Sequence, residues 1–137
     1  IPVSVEGENM AYAIDNNEAA KDKAALVMQL SPFAGGYDEY RGIYTNRYAY
    51  IKTLEGPLRL FDNIEDPLQM NNLINKPDFS ELQEQLEQQL QQELEKIGDK
   101  FMPRAYYLDK WDYKLTKGGY IDYSKGAPFQ GPSLNKK

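Results

Sequence analysis

Arg41 and Arg47 are the side chains of this sequence best suited to hold an oxyanion. A guanidinium stays charged at any ordinary pH and presents its donors as a planar fork that fits a sulfate, phosphate or carboxylate. Both lie in a tyrosine-rich stretch, Tyr40-Arg41-Gly42-Ile43-Tyr44-Thr45-Asn46-Arg47-Tyr48-Ala49-Tyr50-Ile51. The plainer expectation for each is a strand arginine paired with Asp38, Asp62 or Glu65, and we favour it over contact with a ligand. Asp62 and Asp66 are close in sequence, but Asp66 precedes Pro67 and both read as turn and cap residues, not a metal pair. The chain has no histidine and no cysteine, so the commonest general base, thiolate nucleophiles, thiolate metal sites and disulfides are all absent. Those zeros weigh against a self-contained hydrolase.

The totals narrow the class further. A chain of 137 residues is one domain's worth, enough for a single modest core. Hydrophobic residues at 41% and charged residues at 27% fit a soluble globular fold rather than a disordered chain. A net charge of -5 argues against nucleic acid as a partner, because phosphate binding needs clustered Lys and Arg. No apolar run approaches the ~20 residues that span a membrane. The sequence begins at Ile1 with no signal-peptide pattern, so an internal or trimmed product is expected, its cellular address encoded upstream.

The elements that must position these arginines follow from periodicity. Ala-Ala-Leu-Val-Met-Gln-Leu, from Ala24 to Leu30, has strand length and stops before Ser31-Pro32. A glycine-bearing loop leads to two Tyr, Ile and Thr-rich strands with a hairpin at Asn46, a residue that tolerates the left-handed conformation. On the second of them Tyr48, Tyr50 and Lys52 share one face, and Ala49, Ile51 and Thr53 the other. Glu55-Gly56-Pro57 turns the chain into a fourth strand at residues 58–61. The period then lengthens: Phe79, Leu82, Leu86, Leu90, Leu94 and Ile97 recur on average every ~3.6 residues, the stripe of a straight amphipathic helix. Asp78 or Ser80 is expected to cap it and Gly98 to end it, and its Glu- and Gln-rich outer face is a solvated surface. Beyond residue 98, Phe101, Tyr106, Tyr107, Trp111, Tyr113, Tyr120, Tyr123 and Phe129 follow no sustained period. Such rings need a surface to lie against, and packing on protein is favoured over stacking on sugars.

The expected fold is α+β: an antiparallel sheet of about four strands, one long amphipathic helix on one face, and an irregular aromatic-rich tail. The division expected is a linker over 1–23, a sheet-and-helix subdomain over 24–98, and a tail over 99–137.

The stretch from Tyr40 onward, with Leu58-Arg59-Leu60-Phe61-Asp62-Asn63-Ile64-Glu65-Asp66-Pro67 and Asn71-Asn72-Leu73, resembles the C-terminal subdomain of the formylglycine-dependent sulfatases. There an Arg-Gly-Ile-Arg-Thr-x-Arg-Tyr-Lys-Tyr-Ile hairpin precedes a Leu-Tyr-Asp-Leu-x-x-Asp-Pro-x-Glu-x-x-Asn-Leu segment and a helix. Arg41 and Arg47 match that hairpin, whereas Tyr44 and Ala49 stand where Arg and Lys are common. Gly7-Glu8-Asn9-Met10 is only faintly similar to the Gly-x-Ser-Leu with which the family enters this region.

The resemblance implies a parent enzyme that hydrolyses sulfate esters, with sulfated carbohydrate as the expected substrate and a periplasmic or secreted setting. It implies a formylglycine made within a Cys/Ser-x-Pro/Ala-Ser-Arg motif and a bound calcium, both in an N-terminal catalytic domain. Neither Ser31-Pro32 nor Pro132-Ser133 forms that motif, so no catalytic or metal residue carries over to this chain and the piece alone should be inactive. Its partner would be its own catalytic domain, which it buttresses, with Arg41 and Arg47 as candidate substrate contacts at the pocket wall. A stand-alone glycan- or protein-binding module is the alternative.

Overall fold

The computed structural model describes residues 11–15, 23–30, 39–119 and 121. Most of the 1–23 segment, Gly7-Glu8-Asn9-Met10, Asp38, and the rings of Tyr120, Tyr123 and Phe129 lie outside them. A four-residue helix, α1 (Tyr12–Asp15), precedes a meander of four strands: β1 (Ala25–Gln29), β2 (Tyr40–Tyr44), β3 (Tyr48–Thr53) and β4 (Gly56–Asp62). They pair antiparallel in the order β1-β2-β3-β4, so every strand neighbours the one before it. The long helix α2 (Ser80–Ile97) follows, then a short α3 (Arg104–Lys110). Among the described residues no helix is long and apolar enough to cross a membrane.

Register puts Leu26 opposite Ile43, Ile43 opposite Tyr50, and Tyr50 opposite Leu60, one row across the whole sheet. On that row α2 lays Leu86, Leu90 and Leu94, all buried, with Leu73 closing the end of the core. Full burial of each leucine stabilises by roughly 1.5–3 kcal/mol relative to exposure. Phe79 and Leu82 pack at the margin of this core. Ile97 does not join it: at 57% exposure its side chain lies outside, although the period continues to it. The helix's last turn extends past the apolar row that the stripe was made to cover.

The turns are fastened differently from expectation. Asn46 does not take up positive φ; Thr45 builds the β2–β3 turn, its hydroxyl accepting from the Tyr48 and Arg47 N–H groups at 2.8 and 3.3 Å. Neither Asp78 nor Ser80 caps α2. A 3-10 turn over Pro77–Phe79 feeds straight into the helix, and Ser80 Oγ donates backward to the Pro77 carbonyl at 3.0 Å. Gly98 does end the helix, in the left-handed conformation at φ 68° that a residue with a Cβ rarely adopts. Gly42 answers to a different demand. A Cβ there would stand 2.5 Å from the Tyr50 carbonyl oxygen on the neighbouring strand.

Residues 104–110 of the tail form a helix rather than an irregular segment. Seven residues are too few for an apolar period to show itself in sequence.

Candidate functional site

Arg41, on β2, is fully buried beneath the segment that leaves α2. Its Nε donates to the Asp99 carboxylate, its Nη1 to the Tyr40 carbonyl at 2.9 Å and the Gln29 carbonyl at 3.3 Å, and its Nη2 to the Tyr107 hydroxyl at 3.2 Å. Tyr107 Oη passes the network on, donating to Asp99 Oδ1 at 2.7 Å and accepting from the Met102 N–H at 3.1 Å. The Phe101 ring lies 4.7 Å from the guanidinium carbon. A buried charge is tolerable only when paired and hydrogen-bonded in this way. The partner is Asp99, not Asp62 or Glu65. The result is a clasp that ties the tail to the β1–β2 side of the sheet. A second tie anchors the start of α3, where the Arg104 N–H donates to Glu39 at 2.7 Å.

Arg47 leaves the β2–β3 turn and pairs with Asp62, Nε and Nη2 both reaching Oδ2 at 2.9 and 2.6 Å. This is one of the partners its sequence suggests. Its side chain remains 46% exposed. The structure therefore does not bring the two arginines together into one anion site; each serves a different end of the sheet.

A third group joins the sheet to the helix. Tyr50 Oη donates to Glu87 at 2.8 Å, Lys52 Nζ bonds the same carboxylate at 2.5 Å, and Gln91 adds a third donor at 2.8 Å. Tyr50 and Lys52 share a face because strand side chains alternate, and that face is the one under α2.

The Asp-Asn-Ile-Glu-Asp-Pro stretch and the Asn-Asn-Leu after it prove to be backbone fasteners. Asp62 Oδ1 accepts from the Ile64 and Glu65 N–H groups, and Asp66 accepts from Met70 and Asn71 at 3.1 and 2.7 Å. Asn72 pairs with β4 as a strand would: its amide donates to the Leu58 carbonyl and its oxygen accepts from the Leu60 N–H, both at 3.0 Å. The Leu73 N–H adds a bond to the Leu60 carbonyl at 2.8 Å. An otherwise open sheet edge is thus partly closed.

Titration of these groups runs away from neutrality. Arg47 and the turn N–H groups hold Asp62 below the usual carboxylate range. Burial alone would raise Glu87 and Asp99, but hydrogen bonds outweigh it, from Lys52, Tyr50 and Gln91 to one and from Arg41, Tyr107 and the Phe101 N–H to the other, so both lie low. Burial, and then donation to those carboxylates, pushes Tyr50 and Tyr107 above the ordinary phenol value. A general base needs a pKa near the working pH, and a phenolic nucleophile needs a lowered one. These groups are suited to holding, not to proton transfer. Among the described residues no group of three or more His, Cys, Asp or Glu could hold a metal ion. The sequence contains no Cys/Ser-x-Pro/Ala-Ser-Arg motif to carry a formylglycine.

What kind of protein uses such a scaffold is decided by comparison. Residues 1–96 match the family described as N-sulphoglucosamine sulphohydrolase, C-terminal. The chain belongs to this sulfatase C-terminal family. It is 46% identical over 119 residues to the ulvan-active sulfatase of Formosa agariphila, an alignment covering 85% of this chain and 23% of that protein. The chain thus spans about a quarter of its relative's length. Among solved structures, a putative sulfatase of Bacteroides fragilis superposes with a TM-score of 0.57 at 28% identity, over 77% of this chain and 23% of that one. Another, solved with its substrate D-glucosamine-2-N,6-O-disulfate, superposes with a TM-score of 0.58. At 23% identity, over 69% of this chain and 20% of its own, that second likeness speaks for the fold alone. The sheet, the long helix and the Asp-Pro turn region are thus the sulfatase C-terminal subdomain. The Arg41–Asp99–Tyr107 clasp had no counterpart in the sequence reading, because residues so far apart carry no spacing signal.

Proposed function

We propose that this subdomain is part of a longer sulfuric-ester hydrolase acting on a sulfated carbohydrate. Its own role is to buttress the catalytic domain and to contribute to the wall of the substrate pocket. The observation that carries the reading is the 46% identity to an ulvan-active sulfatase of which this chain spans only 23%. The remaining length of such an enzyme leaves room for a calcium site and for the formylglycine motif that this sequence does not contain. Chemistry would then belong to the preceding domain, and rigidity to this one. Support for the buttress comes from the ion pairs described above, which lock strand to helix and strand to tail. Of the two arginines, Arg47 is the one with guanidinium surface left to offer a sulfate, since Arg41 is enclosed.

The test is inorganic sulfate release from sulfated oligosaccharides by the full-length protein. Release that is lost when the formylglycine-forming residue is replaced supports the reading. A full-length protein that binds such sugars without ever releasing sulfate would replace it with a binding module.

A further inference from the structure

Where β1, the end of α2 and α3 converge, the surface carries a groove of about 510 Å³. That lies within the ~300–1,000 Å³ of ligand clefts. Its apolar walls include Met28 and Ile97, and its rim carries the rings of Tyr106 and Trp111, exposed at 42% and 43%. The rings are held in place from below. Trp111 lies against the buried Tyr107 at 5.4 Å between centroids, and Tyr106 meets the same ring edge-on at 5.3 Å. Two lysines line the groove, Lys100 and Lys110, and Lys110 Nζ stands 5.8 Å from the Trp111 ring and 5.9 Å from that of Tyr106. The one carboxylate in the lining, Asp99, is already neutralised by Arg41. In a chain of net charge -5 the groove is therefore locally positive.

We propose that this groove is a carbohydrate subsite that takes a stretch of sulfated sugar chain. The apolar face of a pyranose packs on the indole as other apolar groups do, while a sulfate ester bonds to the lysine ammonium groups by charge-assisted hydrogen bonds. A protein partner fits less well, because lysine is depleted at the buried centres of protein interfaces. Such a subsite would hold a polymeric substrate near the enzyme between turnovers and raise its effective concentration. The choice of sulfate as the charged substituent rests on the proposed function; the aromatic platform and its two lysines do not.

Trp111 is the only tryptophan of the chain, so its fluorescence reports on the groove directly. The 137-residue chain would be titrated with oligosaccharides from ulvan and from a sulfated galactan, and with the same sugars after chemical desulfation. The expected result is saturable quenching with the sulfated sugars, at least about tenfold weaker after desulfation. Lys100→Ala with Lys110→Ala should weaken binding by about tenfold or more while leaving the melting temperature unchanged, since both side chains are at the surface. No fluorescence response, or binding that survives the double substitution, overturns the proposal. So does a spectral change that tracks protein concentration instead of sugar, which would assign the groove to a second copy. Sulfate release by the full-length protein is read separately. Absence of binding here leaves that activity standing, and absence of that activity leaves the binding standing.

Discussion

Arg41 and Asp99, 58 residues apart in the chain, meet as a charged pair on the β1–β2 side of the sheet. The guanidinium is fully buried and the carboxylate nearly so, at 0% and 10% side-chain exposure. A strand from the middle of the sequence and the segment after the long helix are thereby held as one piece.

Replacing one member should reveal how much the clasp contributes. Asp99→Asn keeps the shape and removes the counter-charge, leaving Arg41 buried and unpaired. The expected loss is about 3 kcal/mol, the lower part of the range for a broken buried pair, because the amide oxygen that replaces the carboxylate would still accept a hydrogen bond. Asp62→Asn should cost less, its partner Arg47 being 46% exposed. Urea melts of the two variants would check the order.

Stability should also depend on pH in a defined direction. Asp62, Glu87 and Asp99 are depressed, so the folded chain holds these protons less tightly than the unfolded one. Their contribution is full above the ordinary carboxylate values of about 4 and is lost as pH falls through the folded-state values. Tyr50 and Tyr107 are raised, so their contribution is full below about 10 and is lost as pH rises through theirs. Melting temperature should be flat over roughly pH 5–9, with an acid limb that Asp99→Asn makes shallower. A limb already falling at pH 6 would contradict this assignment.

The helix stripe predicts a graded response. Leu90→Ala, at a fully buried position, should cost about 2–5 kcal/mol. Gln88→Ala on the outer face should stay within about 0.5 kcal/mol. Ile97→Ala should resemble Gln88→Ala more than Leu90→Ala, although it continues the same period. Equal losses at all three positions would place the helix on the wrong face.

That contrast shows what could be read from sequence. The strands and the long helix were legible because each has a period of its own, and Arg47–Asp62 because both residues flank one hairpin pair. Ile97 was misplaced because a period says which way a side chain points, not where the neighbouring surface ends. α3 is too short to show a stripe. The 3-10 turn at Pro77 replaced a side-chain cap that Asp78 and Ser80 each had the chemistry to supply. The Arg41 clasp depends on the fold bringing β2 under the tail, and nothing local in either segment encodes that meeting.

The central claim is that this chain supplies structure and the remainder of the enzyme supplies chemistry. Its most direct test is sulfate release from an aryl sulfate by the purified 137-residue chain beside the full-length protein. The account predicts turnover by the full-length protein and none above buffer from the chain alone, at any concentration. Turnover by the chain alone, rising in proportion to its concentration, would contradict it.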